Sequence, residues 1–127
     1  MKVTSKINRT NLKIMNSLMQ KNLVKAVDAM KTDIMKAQVM PKDTGNMQDR
    51  STFIDEKNVK KGYVLLVVDT PYARRLYFHP EYTFKTDKNA NAQGEWFEPW
   101  ISGNKKNFLS MSFARFMRKD LQKYDTR

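Results

Sequence analysis

The sequence contains no cysteine and a single histidine, and these shortages exclude several kinds of chemistry. Without cysteine there is no disulfide, no thiolate metal ligand and no thiol nucleophile, and an absence of disulfides favours an intracellular protein. A zinc site at His79 would need carboxylates as further ligands, and no such cluster surrounds it in the sequence. A general base needs a positioned partner, and nothing in the sequence fixes Glu81 or Asp87 beside His79. We therefore expect His79 to have a structural or interface role.

Glycine is also scarce, and its spacing excludes the common phosphate-binding loops. The four glycines stand at positions 45, 62, 94 and 103, which match neither Walker nor Rossmann spacing. Glu95 and Glu98 are three residues apart and would share a helical face, where paired carboxylates can bind a metal or act in acid–base chemistry. The aromatic residues around them favour a capping turn instead. We therefore expect no catalytic residue, no metal site and no cofactor.

Acidic residues are few relative to basic ones, 13 against 24, which gives a formal net charge of +11. A basic excess of this size predicts attraction to polyanions or to an acidic protein, without deciding between them. No run of apolar residues approaches the roughly 18 that a membrane span needs, so no membrane partner is expected. A chain of 127 residues has the size of one domain.

What the sequence does contain is a long helical pattern over residues 8–37. Apolar side chains recur there every three or four positions and form one stripe, which consists of Leu12, Met15, Met19, Leu23, Ala26 or Val27, Met30, Ile34 and Ala37. Thr10 or Asn11 is the predicted N-cap, and Pro41 is expected to set the end. Such a helix reaches about 45 Å, so we expect one end to project or to lie on a neighbour. The stripe is interpreted as core, or alternatively as methionine contacts with another subunit.

The pattern that follows predicts a small sheet. A turn is expected over residues 41–45 and a helical turn over 46–50. Strands are expected over 51–54 and 61–68, and the short connection between them favours antiparallel pairing. A third strand is expected over 82–85, where polar and aromatic residues alternate.

The remaining elements are predicted to be helical, apart from one polar loop. A helical turn over residues 70–78 would direct Arg74 and Arg75 outward. Residues 86–94 are polar and turn-prone, and a short helix is expected over 95–101.

The last element is a predicted helix over residues 105–123, with Asn104 as its N-cap. Its apolar stripe consists of Phe108, Met111, Ala114 or Arg115, Met117 or Arg118, and Leu121, with Phe113 and Phe116 beside it. Together the elements predict an α+β fold, in which a long N-terminal helix and a C-terminal helix pack on a small, mainly antiparallel β-sheet. The whole chain, residues 1–127, is predicted to form one domain.

Aromatic residues concentrate in the segment 64–100, which holds both tryptophans. It begins with five consecutive aliphatic residues that predict a central strand, and proline in the Asp-Thr-Pro sequence at 69–71 stops it. The aromatic residues that follow either pack this strand against the helices or form a surface that another chain covers.

Three segments of the sequence, taken in order, resemble one family. The first is Met-Pro-Lys-Asp-Thr-Gly-Asn-Met at 40–47, followed by Ser51. The second is Thr-Pro-Tyr-Ala-Arg-Arg-Leu-Tyr at 70–77, after the central strand. The third extends from Asn-Ala-Asn-Ala at 89–92 to Glu-Trp-Phe-Glu-Pro-Trp at 95–100. In this order and spacing the chain resembles the minor capsid proteins of long-tailed bacteriophages, which are related to neck and tail-completion proteins that join head and tail.

That resemblance implies a structural subunit and not an enzyme. It implies a homo-oligomeric ring in the neck of the virion, built from protein made in the bacterial host cytoplasm. Its partners would be the phage connector, head-closure and tail-terminator proteins, with non-specific contact to genomic DNA in the channel. The expected interface residues are Tyr72, Arg74, Arg75, Tyr77, Trp96, Phe97 and Trp100. The loop 86–94 is expected to reach a neighbour, and for Trp96 and Phe97 core packing is the alternative.

A second function, from a different class, also fits the residue types. A ribonuclease toxin uses residues of the kind found at Arg74, Arg75, Tyr77 and His79, and a basic nucleic-acid-binding domain needs no catalytic group. The lysines are spread over every segment, however, which argues against a dedicated groove reader. The alternative to the phage structural role is therefore a basic nucleic-acid-binding or ribonuclease-toxin-like domain.

Overall fold

Two long helices and a two-stranded sheet form the framework of the protein. A computed structural model describes residues 9–41, 52–70, 72–84, 86 and 89–125. Its elements are helix α1 (Arg9–Ala37), strand β1 (Thr52–Asp55), a 3₁₀ helix (Val59–Lys61), strand β2 (Leu65–Val68), helix α2 (Ala73–Tyr77), helix α3 (Glu98–Ile101) and helix α4 (Phe108–Asp125). The α+β prediction, with its two terminal helices and small antiparallel sheet, is confirmed.

Helices α1 and α4 pack side by side in opposite directions. Asn22 contacts Asp120 near the end of α4, whereas Asp33 contacts Lys105 just before its start. Because the helices run in opposite directions, the end of α4 lies beside about residue 17 of α1. The first eight residues of α1 therefore extend past α4 by about 12 Å. Thr10 and Asn11 lie inside this helix, so the prediction that either one caps it is wrong.

The two strands pair antiparallel, as predicted, with Thr52 opposite Val68 and Asp55 opposite Leu65. Because side chains alternate along a strand, the sheet has two distinct faces. The inward face carries Thr52, Ile54, Leu66 and Val68, and the outward face carries Phe53, Asp55, Leu65 and Val67. The predicted strand 61–68 is shorter than expected, since the 3₁₀ helix and Gly62, at a φ of 95°, occupy its beginning. Within the described range 82–84 there is no third strand, so that prediction is wrong.

The core lies at the C-terminal end of α1. Its buried residues come from α1, α2, α3 and the segments beside them, and they are Ile34, Val39, Met40, Ala73, Trp96 and Trp100. The inward face of the sheet reaches this cluster through Leu66 and Val68. The aromatic segment therefore packs β2 against the helices, which was the first of the two interpretations of its sequence.

The end of α1 is capped by the segment predicted to be a loop that reaches a neighbour. The last carbonyl groups of a helix lack partners within the helix, and here residues 89–93 supply donors to the last residue of α1 and to residues just beyond it. Asn91 Nδ2 donates to the Ala37 carbonyl at 2.9 Å, and Asn89 Nδ2 donates to the Met40 carbonyl at 2.8 Å. Gln93 N donates to the Val39 carbonyl at 2.9 Å. The part of the predicted loop that these residues form therefore binds its own chain, and its contact with a neighbour stays a prediction.

Both C-terminal helices begin later than predicted. Glu95 has a φ of 48°, and its N–H donates to the Tyr77 carbonyl at 2.8 Å, so α3 starts only at Glu98. Consecutive turns occupy residues 104–107, so Asn104 does not cap α4. The predicted turn at 41–45, apart from Pro41, and the predicted helical turn at 46–50 lie outside the described residues.

The stripe predicted for α4 is displaced from the face that the helix buries. Met111 is 68% exposed and Leu121 is exposed as well, whereas the buried positions are Ser112 and Asp120. The physical reason lies on α1, where Asn22 is fully buried and provides a polar partner. The predicted α1 stripe is interrupted in a similar way, because Leu12 and Met19 are exposed.

Candidate interface on helix α2

The short helix α2 displays the residues that follow the central strand. Thr70 starts the turn by accepting a hydrogen bond from Ala73 N through its side-chain Oγ1 at 3.1 Å. This turn buries Ala73 in the core. Tyr72, Arg74 and Arg75 are exposed, as the sequence predicted for the two arginines.

Phe78 and Tyr82 extend the exposed side of α2. Arg74 and Phe78 are four residues apart, and Tyr72 and Arg75 are three apart, so each pair consists of neighbours on the helix surface. Tyr72 is 70% exposed and Phe78 is 63% exposed. The Arg75 guanidinium lies 6.0 Å from the Tyr82 ring centroid. We call Tyr72, Arg74, Arg75, Phe78 and Tyr82 the arginine–aromatic surface.

Polar contacts order one side of this surface. A hydrogen bond with Tyr82 is the main reason that the pKa of Arg75 is raised. The His79 ring stacks on the Tyr82 ring at 4.6 Å, and His79 Nδ1 lies 2.7 Å from Glu81 Oε1. That hydrogen bond lowers the pKa of Glu81. Glu81 is therefore positioned beside His79, contrary to the sequence-based expectation, although the pair is solvent-exposed and joins an aromatic stack.

The other four predicted interface residues lie inward from this surface. Trp96 is 1% exposed and contacts the Tyr77 ring edge-on at 4.9 Å. Trp100 is also buried, and its Nε1 donates to Asp33 Oδ2 at 2.9 Å. Phe97 is half-buried against the same core. The structure thus corrects the placement of both tryptophans, because their large rings complete the chain's own core instead of facing outward.

Tyr77 is held by a hydrogen bond to α3. Its hydroxyl donates to Glu98 Oε1 at 3.3 Å. Partial burial, the charge of Glu98 and this hydrogen bond raise the pKa of Tyr77 to about 12. The sequence therefore identified three members of the exposed surface, Tyr72 and the two arginines, and it missed Phe78 and Tyr82. The high aromatic density of residues 77–84 was the available signal.

A shallow open groove of about 340 Å³ lies beside α3, with Glu95 and Glu98 on its wall. Glu98 is engaged there, because Oε1 accepts from Tyr77 and Oε2 accepts from Ser102 Oγ at 3.1 Å. Among the described residues no three His, Cys, Asp or Glu side chains come together as a metal site. The Glu98 carboxylate thus serves hydrogen bonds within the chain.

Comparison with protein-family models, with curated proteins and with solved structures gives no match to this chain. In the described part of the chain, no helix combines the length and apolar character that crossing a membrane requires.

Proposed function

We propose that the protein is a structural subunit of a tailed-bacteriophage virion, a ring-forming neck or tail-completion protein that joins the portal connector to the tail. The observation that carries this proposal is the wide distribution of large exposed apolar side chains. They occur on α1, on the sheet and on α2, and they include Leu12, Met19, Phe53, Leu65, Tyr72 and Phe78. A ring subunit has neighbours on several sides, and such neighbours would cover exposed apolar side chains on several of its elements.

The arginine–aromatic surface supplies the contact with another component of the virion. Arginine and aromatic side chains are enriched at protein interfaces, where they contribute much of the binding energy. Arg74 and Arg75 give this surface positive charge, in a chain whose net charge is +11. An acidic face of an adjoining connector or tail ring is the partner that such a surface fits.

The proposal is tested by the mass of the purified protein in solution, with and without a phage connector complex. Light scattering coupled to size exclusion, over a range of concentrations, is expected to show rings or recruitment to the connector. Negative-stain images would then locate the added density at the tail-facing end. A protein that stays monomeric at every concentration and does not bind connectors would contradict the proposal.

The second candidate function is nucleic-acid binding, and the same surface is the observation that favours it. Single-stranded nucleic acids bind to surfaces that combine cationic groups with aromatic rings, and Tyr72, Arg74, Arg75 and Phe78 are all exposed. A monomer that binds or cleaves RNA, with affinity falling steeply as salt rises, would support this function over the first.

A further inference from the structure

We propose that the surface along the contact between α1 and α4 binds the phosphate backbone of double-stranded DNA. It carries exposed basic side chains from both helices, namely Lys21, Lys25, Arg115, Lys119 and Lys123. We call these five residues the basic seam. The inference deepens the proposed function and rests on it for the source of the DNA, the phage genome, whereas the binding itself can be measured on the isolated protein.

Each helix contributes to the basic seam at a spacing of four residues. Lys21 and Lys25 stand on α1, and Arg115, Lys119 and Lys123 follow one another on α4. Residues four apart on a helix lie on the same face, about 6 Å apart along the axis. All five side chains are exposed, so each helix presents a row of positive charge to the solvent.

The first contact between the two rows is made at Asp120, whose side chain is buried. Lys21 Nζ lies 3.5 Å from Asp120 Oδ2, and Lys123 Nζ lies 3.7 Å from Asp120 Oδ1. Asn22 Nδ2 donates to the same carboxylate at 3.0 Å. This contact places a lysine of α1 beside a lysine of α4. A carboxylate has a single negative charge, so it cannot balance both ammonium groups.

The second contact between the rows is made at the Phe116 ring. Lys25 Nζ lies 4.6 Å from the ring centroid, and Arg115 Cζ lies 5.7 Å from it. An aromatic ring attracts cations through its quadrupole but has no net charge, so it neutralises neither of them. Along α1 the row ends at exposed Asp28, three residues after Lys25. Two like charges beside one ring favour the binding of an anion between them.

The composition of the basic seam favours nucleic acid over an acidic protein as its partner. Four of the five cations are lysine, which is depleted at protein interfaces, whereas arginine and aromatic residues are enriched there. A lysine ammonium binds phosphate as a point charge. The Phe116 ring is half-buried and is contacted by two cations, so it does not offer an open face to an unpaired base, as single-strand binding surfaces do. The seam therefore fits the backbone of a duplex.

The salt dependence of binding to a fluorescently labelled DNA duplex of mixed sequence tests this inference. The logarithm of the association constant falls linearly with the logarithm of salt concentration, with a slope of about −0.9 for each phosphate contacted. Lys25→Gln with Arg115→Gln removes two contacts, so the magnitude of the slope should fall by about two. The matched control is Lys60→Gln with Lys61→Gln, which removes the same charge from exposed residues of the 3₁₀ helix and should leave the slope unchanged.

Three other results would overturn the inference. The first is an unchanged slope in Lys25→Gln with Arg115→Gln, or an equal decrease in the control. The second is binding to polyglutamate without binding to the duplex, which would mean an acidic protein partner. The third is tighter binding to the single strand than to the duplex. Circular dichroism verifies folding, and Lys119→Gln, a single exposed substitution, should lower the magnitude of the slope by about one even if the double variant does not fold.

The mass of the unmodified protein separates this inference from the proposed ring. Rings that do not bind the duplex would reject the basic seam and retain the proposed function. A monomer that binds the duplex with the expected changes in slope would retain the basic seam and reject the ring.

Discussion

Asn22 on α1 donates a hydrogen bond from Nδ2 to Asp120 Oδ2, at 3.0 Å, near the C-terminal end of α4. Both residues are buried, and Met117 Sδ lies 3.2 Å from the same nitrogen. Lys21 lies at the protein surface, and its Nζ is 3.5 Å from Asp120 Oδ2. A hydrogen bond between buried side chains of two helices can form at only one relative position of those helices. We infer that this pair sets how α1 and α4 align.

Replacing Asn22 with alanine is expected to destabilise the protein by about 1–3 kcal/mol, because the buried carboxylate would lose its hydrogen-bond donor. Urea unfolding followed by circular dichroism measures the change. The matched control is Asn16→Ala, at an exposed asparagine of the same helix, which is expected to change stability little. Equal effects at the two positions would show that the Asn22–Asp120 bond contributes nothing specific.

The stability of the fold is expected to fall in acid because of two paired carboxylates. The hydrogen bond from Asn22, with Lys21 and Lys123 nearby, lowers the pKa of Asp120. Burial alone would raise the pKa of Asp33, but hydrogen bonds from Trp100 and Lys105 outweigh it and lower that pKa. When a folded-state pKa is depressed, its stabilising effect is present above the unfolded pKa of about 4 and is lost as pH falls through the folded value.

Unfolding measured between pH 7 and pH 2 tests this expectation. Midpoint urea concentration should remain nearly level above pH 5 and should decline below about pH 4. Asp33→Asn removes one of the titrating groups, so its decline should be shallower than that of the unmodified protein. A decline of identical shape in the variant would mean that Asp33 does not contribute to acid sensitivity.

The elements that were predicted correctly are those whose sequence patterns depend on residues close together in the chain. The α1 periodicity over 29 residues, the aliphatic strand β2 and the antiparallel hairpin all depend on neighbouring residues, and all three are present. The stripe on α4 was placed incorrectly because its buried side is chosen by Asn22, a residue 98 positions away from Asp120. The docking of residues 89–93 on the end of α1 likewise depends on contacts distant in sequence, which a turn-prone composition does not reveal.

The candidate interface was predictable in part for the same reason. One helical turn after a strand was enough to place Arg74 and Arg75 outward. Whether a tryptophan in the following segment is buried depends on the whole core, and Trp96 and Trp100 are both enclosed by it. Exposed apolar residues such as Leu12 and Phe53 belong to patterns that usually indicate core, so sequence alone could not separate them from buried positions.

Tyr77 is expected to ionise in a late step when absorbance is followed through an alkaline titration. Its pKa is raised to about 12, chiefly by burial and then by Glu98. The raised value means that its contribution to stability is complete below pH 10 and is lost between about pH 10 and pH 12. Tyr77→Phe should remove the late step, and Tyr72→Phe, at an exposed tyrosine, should retain it. A late step that survives in Tyr77→Phe would reject the assignment.

The role of the arginine–aromatic surface can be separated from that of overall charge. Arg74→Glu with Arg75→Glu lowers the net charge by four, and so does Arg118→Glu with Lys119→Glu, which changes two adjacent exposed residues on α4. If the surface on α2 binds an acidic component of the virion, the first double variant should lose recruitment to the connector, measured by co-sedimentation. The second should retain most of it, because long-range attraction is screened within about 8 Å at physiological salt.

The same pair of variants decides between protein and nucleic acid as the partner of this surface. Loss of RNA binding, without loss of connector recruitment, in Arg74→Glu with Arg75→Glu would assign the surface to nucleic acid and would contradict the contact proposed for it. Equal losses in both double variants would mean that binding follows total charge, since phosphate attraction depends on the number of cations rather than on one surface. Loss of recruitment in the α2 variant alone is the outcome that we expect, because only there do the arginines stand beside exposed aromatic rings.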